Sequence, residues 1–244
     1  MASRPAKRPP AQVTVTFRPK PFLKVWVWLI VVLTVLSYGE FFFHYKILRR
    51  SFSGSELIFY LDTEGNLPVW VSCFGLLLAG VLSALIARAP RPDGTKTVYW
   101  VLMAAGFTLM SIDEMCQYHE HLTLPIWTWL QSVHMEMGGY LRNAWVIPAF
   151  ILLPFVLWAF LPFLRALDAG DRNRFIVSGV VYLAGALGFE VISAHEFFLS
   201  QGFSLDLVVL GSTEETLELL GTGLFVYALL TYLGKHHPTV QFGE

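Results

Sequence analysis

Of the chain's 244 residues, 55% are hydrophobic and 15% aromatic, while 14% are charged, against roughly 25% in an ordinary soluble domain. A formal net charge of −1 leaves no basic excess to attract nucleic acid, and Cys73 and Cys116 make neither a CxxC pair nor a disulfide framework. The composition calls for an all-α polytopic membrane bundle, with the lipid bilayer as its first partner.

In chain order, residues 1–24 read as a basic cytoplasmic tail, 25–234 as one transmembrane domain of about six helices, and 235–244 as a second cytoplasmic tail. The apolar run from Val25 follows a basic, proline-containing stretch without a small-residue cleavage site, so it is expected to be a retained helix. A span needs about 20 apolar residues. The six candidates lie between Lys24 and Lys46, from Leu67 to about Ala87, from Val98 to about Gln117, from about Asn143 to Leu164, from Phe175 to about Leu199, and from about Thr213 to Leu233. Between the third and fourth, Ile126, Trp129, Leu130, Val133 and Met137 recur at helical spacing. They predict a short interfacial helix over Pro125–Met137 on the outer surface, broken from the next span at Gly138-Gly139.

Lys and Arg accumulate in short cytoplasmic loops. With the amino terminus inside, 13 of the 17 basic residues fall on the inner side, and only Lys46, Arg49, Arg50 and Arg142 fall outside. This predicts an integral membrane protein with both termini cytoplasmic. The acids distribute oppositely: Asp93, Asp168, Asp171 and Glu244 are inner, and the other 14 of 18 are outer, as are five of the seven histidines.

One spacing recurs at outer helix ends: Glu114-x4-His119-Glu120 in the third span, Glu190-x4-His195-Glu196 in the fifth, and more weakly Glu40-x3-His44 in the first. Ionisable groups in a span are costly and usually face the bundle interior. On an unbroken helix, positions i and i+5 stand about 140° apart. Glu114 and His119 could then share an ion only through a π-bulge or an unwound helix end, whereas Asp113, Cys116 and Glu120 would fall on one stripe. The Glu-x-x-His pairs of helical di-iron bundles are absent from the sequence. At the start of the sixth span, Ser212 and Glu215 have capping-box spacing, which would account for Glu214 and Glu215, while Glu218 lies a turn deeper.

Asp113-Glu114-x4-His119-Glu120 and Glu214-Glu215-x-x-Glu218-x-x-Gly221 resemble a group of uncharacterised bacterial multi-pass membrane proteins over the last two thirds of the chain. That resemblance implies the topology and no activity. Intramembrane proteases with a Glu-Glu-x3-Arg helix are excluded, because Leu219 stands at the arginine position.

The resulting expectation is a metal site at the outer end built from Asp113, Glu114, His119, Glu120, Glu190, His195 and Glu218, dinuclear and redox-active in its fullest form, taking iron, manganese or zinc. Two other readings compete with it. One is an accessory subunit packed among the other subunits of a respiratory or photosynthetic membrane complex, and the other is a proton or cation transporter, which would need a route past Gly185 and Gly188.

Overall fold

The computed structural model describes residues 13–15, 17–47, 57–90, 94–135, 138–200, 204–237 and 240–242. Arg4, Lys7, Arg8, Arg49, Arg50, Arg91, Asp93, Met137 and Glu244 lie outside them. The chain forms an all-α bundle. Helix α1 (Pro19–Phe42) runs on into a π-helical turn (Phe43–Ile47), followed by α2 (Leu67–Arg88), α3 (Thr97–Cys116) and α4 (Tyr118–Ser132). After a 3-10 turn (Gly139–Leu141) come α5 (Val146–Ala166), α6 (Ala169–Leu183), a second π segment (Ala184–Phe189), α7 (Glu190–Ser200) and α8 (Leu205–His236). Short strands β1 (Val13–Val15) and β2 (Val240–Phe242) pair antiparallel, which places the start of α1 and the end of α8 together.

Among the described residues, five helical runs are long and apolar enough to cross a membrane: Pro19–Ile47, Leu67–Arg88, Val146–Ala166, Ala169–Ser200 and Leu205–His236. The sixth expected span, α3, is not among them. It is 20 residues long and its last turn carries Asp113 and Glu114. It nevertheless packs along α2, with Gly80 against Ala104 and Thr108 and with Ser111 Oγ donating to the Cys73 carbonyl at 2.9 Å.

Local chemistry sets the helix ends. Asn66 Oδ1 accepts from the Val69 amide to open α2, Asp168 accepts from the amides of Gly170 and Asp171 to open α6, and Ser204 Oγ accepts from Leu207 to open α8. Ser204 corrects the expected start of the last span. Because α8 begins at Leu205, Ser212 is no cap but is buried within the helix, and Glu214 and Glu215 occupy its third turn.

The connection after α3 is also corrected. Gln117 adopts φ 56°, a left-handed conformation that few residues other than glycine tolerate, and it ends α3. The next helix starts at once at Tyr118 and stops at Ser132, so the short helix is Tyr118–Ser132 and not Pro125–Met137. Glu120 therefore belongs to α4, and the expected stripe of Asp113, Cys116 and Glu120 does not exist.

Small residues bring the helices close, as membrane packing favours. A Cβ on Gly75 would stand 2.7 Å from the Trp26 ring, whose Nε1 donates to the Leu219 carbonyl at 2.8 Å and fixes α1 on α8. A Cβ on Gly221 would meet Tyr182 at 2.6 Å, so α6 lies directly on α8.

The two ends of the bundle differ in kind. At the end holding Arg18, Lys20, Lys24, Arg88, Lys96 and Arg165, a dense aromatic layer closes the interior. Trp100, fully buried, packs on Tyr232 with ring centroids 4.7 Å apart and edge-on to Phe163 at 5.0 Å. Here Lys235 bonds both Asp168 and Asp171, and Arg174 Nη1 donates to Asp171 Oδ1 at 2.7 Å. This basic end is solidly packed, and its carboxylates Asp168 and Asp171 are met by cations. The opposite end holds a cavity.

Candidate cation site at the acidic end

Between the acidic ends of the helices lies a cavity of about 470 Å³. Nine carboxylates line it. Asp62 and Glu64 come from the loop before α2, Asp113 and Glu114 from the end of α3, and Glu120 from α4. Glu190 comes from the first turn of α7, and Glu214, Glu215 and Glu218 from α8. Among the described residues, no Lys or Arg joins this lining. The nearby Arg142 instead lies over the Phe197 ring, 3.6 Å from its centroid.

Backbone breaks aim these side chains. The left-handed Gln117 folds the start of α4 back over the end of α3, so that the His119 amide donates to Asp113 Oδ1 at 3.0 Å and His119 Nδ1 bonds Asp113 Oδ2 at 2.7 Å. The unwound helix end thus pairs His119 with Asp113 rather than Glu114. This leaves Nε2 as the ring's remaining ligand atom. The π segment Ala184–Phe189 immediately precedes Glu190, whose Oε1 accepts from Asn143 Nδ2 at 2.9 Å and Trp145 Nε1 at 2.8 Å. Such widened turns frequently mark functional positions. Gly211 lets the loop approach α8, since a Cβ there would stand 2.5 Å from the Asp62 carboxylate.

Asp62 and Glu64 present much of their surface, but that surface lines the cavity rather than a convex exterior. Burial, reinforced by the charge of Glu190, pushes the Asp62 carboxyl up to about 7. Burial together with the charges of Glu120 and Glu114 does the same to Glu64, also to about 7. At the basic end the Lys235 ammonium holds the Asp168 carboxyl well below its ordinary value.

The expected candidates separate. Asp113, Glu114, His119, Glu120, Glu190 and Glu218 share the cavity. His195 does not line it and stacks on Tyr140 instead, with centroids 3.7 Å apart. In this second copy of the spacing the helix is unbroken from Glu190 to His195, and the two side chains diverge. Glu40 accepts from the amides of Ile58 and Phe59 at 3.0 and 2.7 Å, which gives it a loop-holding role. Sequence reasoning missed Asp62, Glu64, Glu214 and Glu215. The acidic stretch Asp62-Thr63-Glu64 was a usable signal, but its loop could not be placed over α8 from sequence.

Among the described residues, the one set of three ligand-type side chains with donor atoms within 4.8 Å of one another is Asp168, Asp171 and His236, at the basic end. Lys235 already bridges its two carboxylates, so this set is an ion-paired clamp between α6 and α8. Among the described residues, no three ligand-type side chains of the cavity bring their donor atoms within 4.8 Å of one another.

Glu218 lies about 20 Å along α8 from its first residue and about 27 Å from its last, near the middle of the helix. Beyond it the aromatic layer begins. Gly185 is packed against Glu218 and the Glu214 carbonyl rather than lining a passage.

Fold and site together define a helical membrane bundle with an acid-lined cavity that reaches the middle of α8 at Glu218. The chain belongs to a family described as a domain of unknown function (DUF8692), which matches residues 25–233. No curated protein and no solved structure matches it.

Proposed function

We propose that this protein binds divalent metal cations in the acidic cavity. The observation that carries the reading is nine carboxylates on one cavity with no lysine or arginine in the described lining. Carboxylates gathered in an apolar shell require cations or shared protons. The Asp113–His119 pair supports a metal in particular, because a carboxylate that holds one ring nitrogen orients the other toward an ion. His119 and Glu120 would supply ligands at the mouth, with Glu114, Glu190 and Glu218 deeper. Asp113 is then the positioning residue. A set dominated by oxygen with one imidazole suits manganese or iron better than zinc, which favours more nitrogen and sulfur. The basic residues at the opposite end favour placing the cavity on the outer face of a bacterial inner membrane, with both termini cytoplasmic.

The test is metal content of the purified protein by elemental analysis, with titration of Mn²⁺ followed by its spin-resonance signal. Wild-type protein is expected to bind Mn²⁺ stoichiometrically, and the pair Glu215→Gln with Glu218→Gln to lose at least one equivalent. Equal binding by both proteins would refute the site. A transporter would need the cavity to continue through the aromatic layer around Trp100 and Tyr232, which fills the basic end.

A further inference from the structure

The cavity is much larger than a metal ion requires, and its two sides differ chemically. About 470 Å³ falls in the roughly 300–1,000 Å³ range of small-molecule sites. The carboxylates come from α8, the end of α3, the start of α4, the first turn of α7 and the loop before α2. Helix α5 gives the wall only apolar residues, Ala149, Leu152, Leu153 and Val156, to which α6 and its π segment add Leu183 and Leu187.

Helix α5 is attached near its two ends. At one end Asn143 and Trp145 bond Glu190, and at the other Phe160 and Phe163 pack on Tyr99, Trp100 and Phe175. Between these attachments Pro154, which lacks an amide donor, interrupts the helical ladder. Leu152 and Val156, both on the cavity wall, remain 61% and 42% exposed. Ile151, Phe155 and Trp158 are also exposed, on a helix long and apolar enough to cross a membrane. Cation binding alone gives no use for this wall.

We infer that the cavity takes an amphiphilic organic cation from the bilayer, a long-chain primary amine, with its ammonium head on the α8 carboxylates and its hydrocarbon chain along Leu152 and Val156 of α5. This rests on the cation-binding reading above and adds the ligand class. Charge complementarity selects the head, because an anionic or neutral head would leave the carboxylates uncompensated. The apolar wall selects the tail. Head and metal share the carboxylates and therefore compete.

The experiment uses full-length protein in phosphatidylcholine nanodiscs loaded with Mn²⁺ and titrated with dodecylamine, butylamine or dodecanol. Dodecylamine is expected to release Mn²⁺ at roughly tenfold lower concentration than butylamine, as burial of only a few methylenes would produce, and dodecanol is expected to release none. In the pair Leu152→Trp with Val156→Trp, which fills the apolar side at exposed positions, Mn²⁺ binding should persist while the dodecylamine advantage disappears. Persistence of that advantage in the filled variant, or equal release by both amines in wild type, overturns the inference and leaves the metal reading intact. The unfolding temperature is measured in parallel, and dodecylamine but not butylamine should raise it in wild type and not in the filled variant. If Mn²⁺ does not bind, the metal reading fails, and this thermal comparison decides the amine proposal alone.

Discussion

The two ends of the bundle solve the problem of buried charge in opposite ways. At the basic end Asp171 is 1% exposed and is met by Lys235 and Arg174 within 3.0 Å. At the acidic end nine carboxylates gather around a space with no described lysine or arginine in its wall. Charge balance from within the chain makes the first a structural clamp. Its absence from the second leaves the balance to protons or to a ligand. Packing follows the same division, since the basic end is filled by aromatic rings and the acidic end is open to a cavity.

The strongest way to break this comparison is to damage the basic end. Phe163→Ala removes a ring that contacts Tyr99, Trp100 and Phe175, and it should cost about 3–5 kcal/mol, read as a large fall in unfolding midpoint. Asp171→Asn strips a buried acid from two cations and should cost about 3 kcal/mol, at the lower end for a broken buried pair, while Asp168→Asn, half exposed, should cost much less. At the acidic end the sign should reverse. Glu215→Gln replaces an acid that a crowded cavity without metal can hold only by keeping it protonated, and should raise the metal-free midpoint by a few degrees. A fall there as large as that of Asp171→Asn would show that the acidic end is a structural network too.

Titration sharpens the contrast. Asp62 and Glu64 have folded values near 7, above their ordinary values near 4, so the fold holds their protons more tightly than the unfolded chain does. Metal-free stability should therefore decline as pH rises from about 4 through 7, and the pair Asp62→Asn with Glu64→Gln should flatten that decline. Mn²⁺ affinity should run the other way, strengthening across the same window as those protons leave. Saturating Mn²⁺ at about 100 times its dissociation constant should restore about 2.7 kcal/mol at high pH, and less at pH 5. Asp168, whose carboxyl is held low by Lys235, contributes stability that is lost only in strong acid. The smallest effect is expected from His195→Ala, which should leave Mn²⁺ binding unchanged because its ring stacks on Tyr140 away from the cavity wall.

Several parts of this architecture were legible from residue order. Apolar runs of membrane length located the long helices, since length and hydrophobicity alone decide whether a segment can satisfy its backbone within a bilayer. The separation of basic from acidic residues marked two unlike ends, and six of the seven candidate ligands proved to line one cavity. Local pattern misled at the start of the last span. Ser212 has capping-box spacing, but the helix begins eight residues earlier, where Ser204 Oγ accepts from the Leu207 amide. That earlier start moved Glu214 and Glu215 from a helix terminus into the cavity wall. The repeated Glu-x4-His spacing looked like one device used twice, yet a left-handed Gln117 breaks the first copy and the second stays helical. His119 consequently faces the cavity and His195 faces Tyr140. The sequence by itself determined a membrane bundle with one acidic end, because hydropathy and charge act residue by residue. Which acids meet, and against what wall, was decided by the tertiary structure, because a cavity is enclosed by residues distant in sequence: Asp62, His119, Leu152 and Glu218 share it only once the segments that carry them have packed.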